Sequence, residues 1–232
     1  MLVRALAVLF GLFLTSAGQA ADAPSAWEPG KHYFVIDPPQ RTETAGKVEV
    51  TEVFSYGCPA CNFASTFIDK IRKDLPANAV MTFVPASFKP NEDWPMFQRA
   101  YLTALALGVA DKAHAAMFDA VWKDKTLAIM NPDGRTLKNP LPSIEDAAKF
   151  YEKYGVKAED FVGTANSFAI GTKMKQADAY VRNTGTDSTP TIIVAGKYRL
   201  SFVSAGNDWK LMEQLIHYLI QKEANQKEAA GK

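Results

Sequence analysis

Residues 47–61 read KVEVTEVFSYGCPAC, and the local pattern of the chain changes within them. Valines and a phenylalanine recur through residues 47–54, which favours a strand with partial alternation. Residues 55–57 (SYG) have the composition of a turn. From Cys58 onwards apolar residues recur at spacings of three and four until Pro76, which predicts a helix. The stretch therefore predicts a strand, a turn and a helix that begins at a pair of cysteines.

The motif Cys58-Pro59-Ala60-Cys61 contains both cysteines of the chain. Residues three apart in a first helical turn lie on one side of the helix, close enough to form a disulfide. Pro59 suits the first helical position, where no N–H donor is needed. The helix N-terminus carries unpaired N–H groups and a partial positive charge, so we expect a lowered pKa for Cys58. Cys61, one turn further in, is expected to be more buried and to act as the resolving thiol.

Two other interpretations of the cysteine pair are weaker. A structural disulfide that closes a four-residue segment would constrain the unfolded chain little. A zinc site needs four ligands, and His32, His114 and His217 are far apart in sequence and form no paired motif. We interpret His114 and His217 as residues on the polar faces of helices. The sequence thus favours a redox-active pair, with no metal and no cofactor.

The segments around the motif organise into an α/β layer interrupted by helices. Strand patterns occur before residue 87 and again after Gly185, whereas residues 91–183 carry helical periodicity with a Pro- and Gly-rich loop at residues 131–142. An amphipathic helix follows from Trp209. The predicted elements outside the opening stretch are strands at residues 33–36, 80–84, 191–194 and 198–202, and helices near residues 94–108, 117–122, 143–155, 159–182 and 209–220.

The first 20 residues are predicted to be a cleavable export signal. Arg4 precedes the apolar run ALAVLFGLFL, and Gly18-Gln19-Ala20 offers small residues to a signal peptidase. The alternative is a buried N-terminal helix, although the run is too short to span a membrane. Export predicts a periplasmic location, where disulfides persist.

Composition excludes several classes of protein. The chain has 232 residues, is 47% hydrophobic and 22% charged, and has a formal net charge of +1. These values exclude collagen-like, disordered and coiled-coil proteins. No basic stripe indicates nucleic-acid binding. Removal of residues 1–20 leaves 25 basic against 25 acidic residues.

Three further features have both a functional and a structural interpretation. Thr189-Pro190 precedes a predicted strand, so Pro190 is either a cis proline facing the cysteines or an ordinary trans proline at the start of a strand. Glu52 is either a buried carboxylic acid that relays a proton to Cys61 or an exposed strand residue. The third feature is a set of apolar residues that either line a peptide groove or belong to the core: Tyr56, Trp94, Met96 and Met174.

The export signal, the run EVFSYGCPAC at 52–61, the helical insertion and the run GTDSTPTIIVAGKYRL at 185–200 together closely resemble the DsbA family of bacterial periplasmic thiol:disulfide oxidases. The resemblance implies a thioredoxin fold with an inserted all-helical domain, which we place at residues 88–164, between thioredoxin parts at residues 21–87 and 165–232. It implies a site made of Cys58, Pro59, Ala60, Cys61, Thr189, Pro190 and Glu52. It also implies two kinds of partner: newly exported proteins with free thiols, and a DsbB-type quinone-linked membrane protein. We expect a monomer.

Two residues depart from the pattern of many family members. Ala60 stands where many have a histidine that stabilises the thiolate, so we expect a weaker oxidant. Thr189 stands where many have valine, and threonine there is frequent in isomerases and reductases of the superfamily. A disulfide isomerase or reductase on the same fold therefore stays open, as does a metal- or peptide-binding module without enzymatic activity.

Overall fold

The computed structural model describes residues 27–230, so the predicted export signal lies outside the described residues. The strands are β1 (Phe34–Val35), β2 (Val48–Phe54), β3 (Ala79–Pro85), β4 (Thr191–Val194) and β5 (Tyr198–Leu200). The helices are α1 (Pro59–Asp74), α2 (Trp94–Ala106), α3 (Ala110–Trp122), α4 (Ile144–Glu152), α5 (Ala158–Ala165), α6 (Phe168–Asn183) and α7 (Trp209–Ala230). A short 3-10 helix, Pro90–Glu92, precedes α2.

The five strands form one mixed sheet in the order β1-β5-β4-β2-β3. Helix α1 connects strand β2 to β3, and these two strands pair in parallel. On its other side, β2 pairs antiparallel with β4. All seven residues of β2 are buried, because helices cover both faces of the sheet. The carboxyl end of β2 therefore delivers residues 55–58 to the edge where α1 begins.

Two hydrophobic cores lie on the two faces of the sheet. One joins the sheet to α1 and α7, and includes Ile68, Ile192, Leu215 and Ile216. The other joins the end of β2 and the start of α1 to helices α2–α6. Both cysteines belong to this second core, so the helices that separate β3 from β4 pack directly behind the start of α1.

The structure confirms the predicted α/β layer interrupted by a block of helices. Ser143 caps α4 in a capping box with Asp146. Ser167 caps α6, and the predicted helical stretch over residues 159–182 is accordingly broken there into α5 and α6. In the described part of the chain, no helix combines the length and apolar character needed to cross a membrane.

Candidate active site at the start of helix α1

The turn after β2 places Cys58 at the N-terminus of α1. The Cys58 backbone N–H donates to the Ser55 carbonyl at 3.1 Å, and Cys58 is the extended N-cap residue of a helix that starts at Pro59. The Cys61 backbone N–H donates to Cys58 Sγ at 3.3 Å. The sulfur thus takes the position of a capping side-chain oxygen, and it accepts a hydrogen bond from one of the otherwise unpaired N–H groups.

Gly57 lets this turn pack closely against the inserted helices. A Cβ atom on Gly57 would lie 2.9 Å from ring atoms of Trp94, the first residue of α2. Real Cβ atoms do not approach rings so closely, so any larger residue would displace the indole or the turn.

The surroundings of Cys58 lower its pKa to about 6. The largest cause is a hydrogen bond from the Cys61 side chain, followed by the Thr189 side chain and the backbone N–H groups of Cys61 and Ala60. Partial burial opposes them. The Thr189 carbonyl, 3.5 Å from Sγ, also acts against them, because it accepts a hydrogen bond only from the protonated thiol. The structure thus agrees with the lowered pKa that the sequence predicts.

The surroundings of Cys61 act in the opposite direction. Its side chain is completely buried, against 5% exposure for Cys58, which confirms the predicted difference in burial. Desolvation raises the pKa of Cys61 well above its usual value. The hydrogen bond to Cys58 and the charges of Glu52 and Cys58 raise it further. Cys58 therefore ionises first, and Cys61 stays protonated.

Glu52 is buried in β2, which excludes the interpretation as an exposed strand residue. Its side chain is 2% exposed, between Phe83 of β3 and Ile192 of β4 in the sheet register. Desolvation, and then the negative charge of Cys58, raise its pKa to about 8. Glu52 is therefore mostly a neutral acid at neutral pH. It lies close enough to Cys61 that its ionised form raises the pKa of that thiol.

The Thr189-Pro190 peptide bond is cis, as in the first of the two interpretations of this pair. Folding brings the Thr189 carbonyl next to Cys58 Sγ across 131 residues of sequence. Pro59 and Ala60 are exposed beside them. The sulfur is thus flanked by the start of α1 on one side and by the loop before β4 on the other.

Comparisons with known proteins decide the family. No protein-family model matches the chain. The thiol:disulfide interchange protein DsbA of Pseudomonas aeruginosa is 34% identical over 219 residues, which cover 94% of this chain and 92% of that protein. The chain belongs to the DsbA family.

Solved structures agree with this family assignment. The crystal structure of Pseudomonas aeruginosa DsbA superposes with a TM-score of 0.72 at 33% identity, over 89% of this chain and 97% of that one. The oxidoreductase DsbA of Xylella fastidiosa gives 0.72 at 31% identity, over 83% and 95%. This DsbA-family chain is therefore a thiol:disulfide oxidoreductase that acts on proteins with thiols. It has the expected thioredoxin fold with an inserted helical domain.

A cleft of about 590 Å³ opens beside Cys58 in this DsbA-family protein. Trp94 lines it, as one of the two interpretations of that residue expects. Tyr56 is 1% exposed and belongs to the core instead, and Met96 and Met174 pack partly buried against that core. The residues that line the cleft without having been singled out in the sequence include Phe88, Trp122, Ile129, Met130 and Asp187. No local motif marks them, because they come from separate loops and helices.

The prediction that His114 lies on the polar face of a helix is wrong. Its ring packs among aromatic rings of β2, β3, α2 and α3, and Nδ1 lies 2.9 Å from the Tyr56 hydroxyl. Burial lowers its pKa to about 4, and the nearby charge of Arg72 adds to this effect. His114 is thus a half-buried, neutral side chain whose polar partner is the Tyr56 hydroxyl. In the described part of the chain, no three His, Cys, Asp or Glu side chains form a potential metal site.

Proposed function

We propose that this DsbA-family protein is a periplasmic oxidase that donates a Cys58–Cys61 disulfide to newly exported proteins. The observation that carries the proposal is the opposite pKa shift of the two thiols within one helical turn. A low pKa stabilises the reduced protein, because the free energy of forming the Cys58 thiolate is small at neutral pH. A dithiol that is stable when reduced gives its disulfide readily to other proteins.

The exchange proceeds in two steps that conserve electrons. A substrate thiolate attacks Cys58 Sγ, the more exposed sulfur, so a mixed disulfide forms and Cys61 leaves with the electron pair. A second substrate thiol, as its thiolate, then attacks the substrate sulfur of this mixed disulfide. Cys58 leaves as a thiolate, and its low pKa makes it a good leaving group. The substrate gains a disulfide, and this protein keeps both electrons as a dithiol.

Glu52 supplies the proton that Cys61 needs in the first step. A buried thiolate with a raised pKa is a poor leaving group unless an acid protonates it, and Glu52 is a neutral acid with a pKa of about 8. Glu52 lines a cavity of about 140 Å³ together with Arg72 and Asp111, which bridge α1 and α3 by an ion pair of 3.3 Å. A cavity of this size, with the charged groups of Arg72 and Asp111 on its wall, has room for water, through which the carboxylate recovers its proton.

The loop before β4 positions the substrate. Thr189 lies beside Cys58, where an extended peptide would pair with its backbone, and Pro190 follows it immediately before β4. The cleft next to Cys58 would take the residues that flank the substrate cysteine. Pro59 and Ala60 form the exposed rim on the α1 side.

The reaction needs no cofactor, because the disulfide itself accepts the two electrons. We propose that a DsbB-type inner-membrane protein linked to quinones reoxidises the dithiol, and that the chain works as a monomer after residues 1–20 are removed. The lowered pKa of Cys58 supports an oxidase, although Ala60 leaves the thiolate without an imidazole neighbour.

Two assays on the mature protein separate an oxidase from an isomerase. The oxidised protein is mixed with a reduced substrate that needs one disulfide, and separately the reduced protein is mixed with the same substrate in a scrambled form. An oxidase produces native substrate in the first assay at one disulfide per protein molecule, and works slowly in the second. Fast recovery from the scrambled form, with slow oxidation, would instead support the isomerase that Thr189 allows.

A further inference from the structure

Helix α3 holds the turn before Cys58 at two points. The Tyr56 hydroxyl lies 2.9 Å from Nδ1 of His114, and the Tyr56 carbonyl accepts a hydrogen bond from the Trp122 indole N–H at 2.8 Å. His114 and Trp122 lie on the same helix, eight residues apart and so about two turns. The side-chain hydroxyl and the backbone carbonyl of Tyr56 thus both contact one helix of the inserted domain.

Tyr56 is tightly connected to the nucleophilic sulfur. It lies two residues before Cys58, and Ser55 on its other side accepts the backbone N–H groups of Gly57, through Oγ, and of Cys58, through its carbonyl. Gly57 in turn packs against the Trp94 ring. A shift of Tyr56 would therefore move Cys58 as well.

The contacts of Cys58 Sγ are sensitive to such a shift. They include a hydrogen bond of 3.3 Å from the Cys61 N–H, which favours the thiolate, and a distance of 3.5 Å to the Thr189 carbonyl, which favours the protonated thiol. Contacts of this kind weaken steeply with a displacement of about 1 Å. A reactive group that is loosely supported therefore loses the contacts that shift its pKa. The preference for the thiolate thus depends on what holds the turn in place.

We propose that His114 and Trp122 are positioning residues, which hold Cys58 in the arrangement that stabilises its thiolate. The inserted helical domain then acts on the redox equilibrium as well as on substrate contacts. We infer that the effect passes through Tyr56, since neither side chain is among the hydrogen-bond partners of Cys58. The inference rests on the thiol:disulfide exchange of the family, and not on whether the chain is an oxidase or an isomerase.

Tyr56→Phe tests the hydrogen bond with the least change in shape, because it removes one oxygen atom. In the reduced protein, thiolate absorbance in the ultraviolet gives the pKa of Cys58, and equilibration with glutathione gives the redox equilibrium constant. We expect the Cys58 pKa to rise by about half a unit, and the equilibrium to shift about threefold towards the oxidised protein. His114→Phe should have a similar effect, and the double variant no more than either single one.

Three further variants separate positioning from stability. His114→Asn keeps a polar atom near the hydroxyl and should restore the parent equilibrium. Trp122→Phe removes only the second hydrogen bond, and tests the proposal if the His114 variants do not fold. Phe118→Leu is the matched control, since Phe118 packs on Tyr56 from α3 without a hydrogen bond. It should destabilise both redox forms equally.

The redox equilibrium decides the outcome. If Tyr56→Phe, His114→Phe and Trp122→Phe lower the unfolding temperature of both redox forms by the same amount and leave the Cys58 pKa unchanged, the two residues only stabilise the fold and the proposal is wrong. A failed oxidase assay with a shifted glutathione equilibrium would instead leave the positioning role intact and contradict the proposed function.

Discussion

The two cysteines occupy neighbouring regions that shift the pKa of a thiol in opposite directions. Cys58 lies at the surface end of α1, where backbone N–H groups and the Cys61 thiol lower its pKa to about 6. Cys61 lies one turn further in, where burial and the charge of Glu52 raise its pKa. The two thiols are only three residues apart in sequence. Their different pKa values therefore come from their different burial and from their positions relative to the N-terminus of α1.

The largest expected effect comes from removing the outer sulfur. Cys58→Ser replaces the atom that is attacked, and a hydroxyl group cannot form a disulfide. We expect the oxidation of a reduced substrate peptide by the mature protein to stop, as followed by thiol titration. Oxidation that continues at a measurable rate would contradict this role, because Cys61 alone has no disulfide to donate.

Removing the inner sulfur should stop turnover at a different step. Cys61→Ser leaves the Cys58 thiolate able to form a mixed disulfide but leaves no thiol to resolve it. With disulfide-containing substrates or oxidised glutathione, the adduct on Cys58 should accumulate and be detected by intact mass spectrometry. Absence of the adduct under conditions that modify Cys58 with an alkylating reagent would contradict the resolving role.

Glu52→Gln keeps the shape of the inner region and removes its acid. The formation of the mixed disulfide by the oxidised variant should slow by about a hundredfold near neutral pH, because Cys61 would leave without a proton donor. Rapid-mixing kinetics with a peptide thiol measure this step. An unchanged rate would mean that water alone protonates Cys61.

The same variant also tests the burial of Glu52 by its effect on stability. Desolvation, the largest cause of the raised Glu52 pKa, also acts in the oxidised protein, where the Cys58 thiolate is absent, so the folded chain binds more protons than the unfolded chain in the pH window that starts at the unfolded value of 4.5 and ends at the raised folded pKa. The unfolding free energy of the oxidised parent should therefore fall as pH rises through this window, whereas that of Glu52→Gln should fall less. Urea unfolding at both ends of the window measures the difference, and parallel pH profiles would contradict it.

A smaller effect concerns the outer region and the pH dependence of the two redox forms. The Cys58 pKa falls from 9 unfolded to about 6 folded, so the reduced chain gains stability as pH rises above 6. The disulfide of the oxidised form has no such proton. The unfolding free energy of the reduced form, relative to the oxidised form, should rise by about 1.4 kcal/mol from pH 5 to pH 7. A difference that is independent of pH would mean that Cys58 is an ordinary thiol.

The smallest change adds a charge beside the outer sulfur. Ala60 is exposed in the first turn of α1, where Ala60→His would place an imidazole near the thiolate. We expect the Cys58 pKa to fall by about half a unit, and the equilibrium with glutathione to shift about threefold towards the reduced protein. Ala60→Gln, similar in size but uncharged, is the control. Equal effects of both variants would exclude a role for charge.

Local patterns predicted the elements well, because each pattern depends on residues within a few turns. The valine-rich strand, the turn and the helix at Cys58 are confirmed. The helix predicted near residues 94–108 is confirmed as α2, although Leu105 is 48% exposed. That residue lies in the last turn, where α2 extends past the core.

The site was predictable only where its chemistry is local. The spacing of Cys58 and Cys61 predicts which sulfur is more exposed and which has the lower pKa. The burial of Glu52 needed the neighbouring strands β3 and β4, and His114 was wrongly placed on a polar face because its ring also packs against three other elements, β2, β3 and α2.

The sequence by itself determined the redox-active pair, because a helix that starts at a Cys-Pro-x-Cys motif acts on its own first turn. Only the tertiary structure decided how that turn is held. Tyr56 meets His114 across 58 residues and Trp122 across 66, and Cys58 meets Thr189 across 131. Contacts over such separations exist only once the sheet and the inserted helices have packed, so no local pattern carries them.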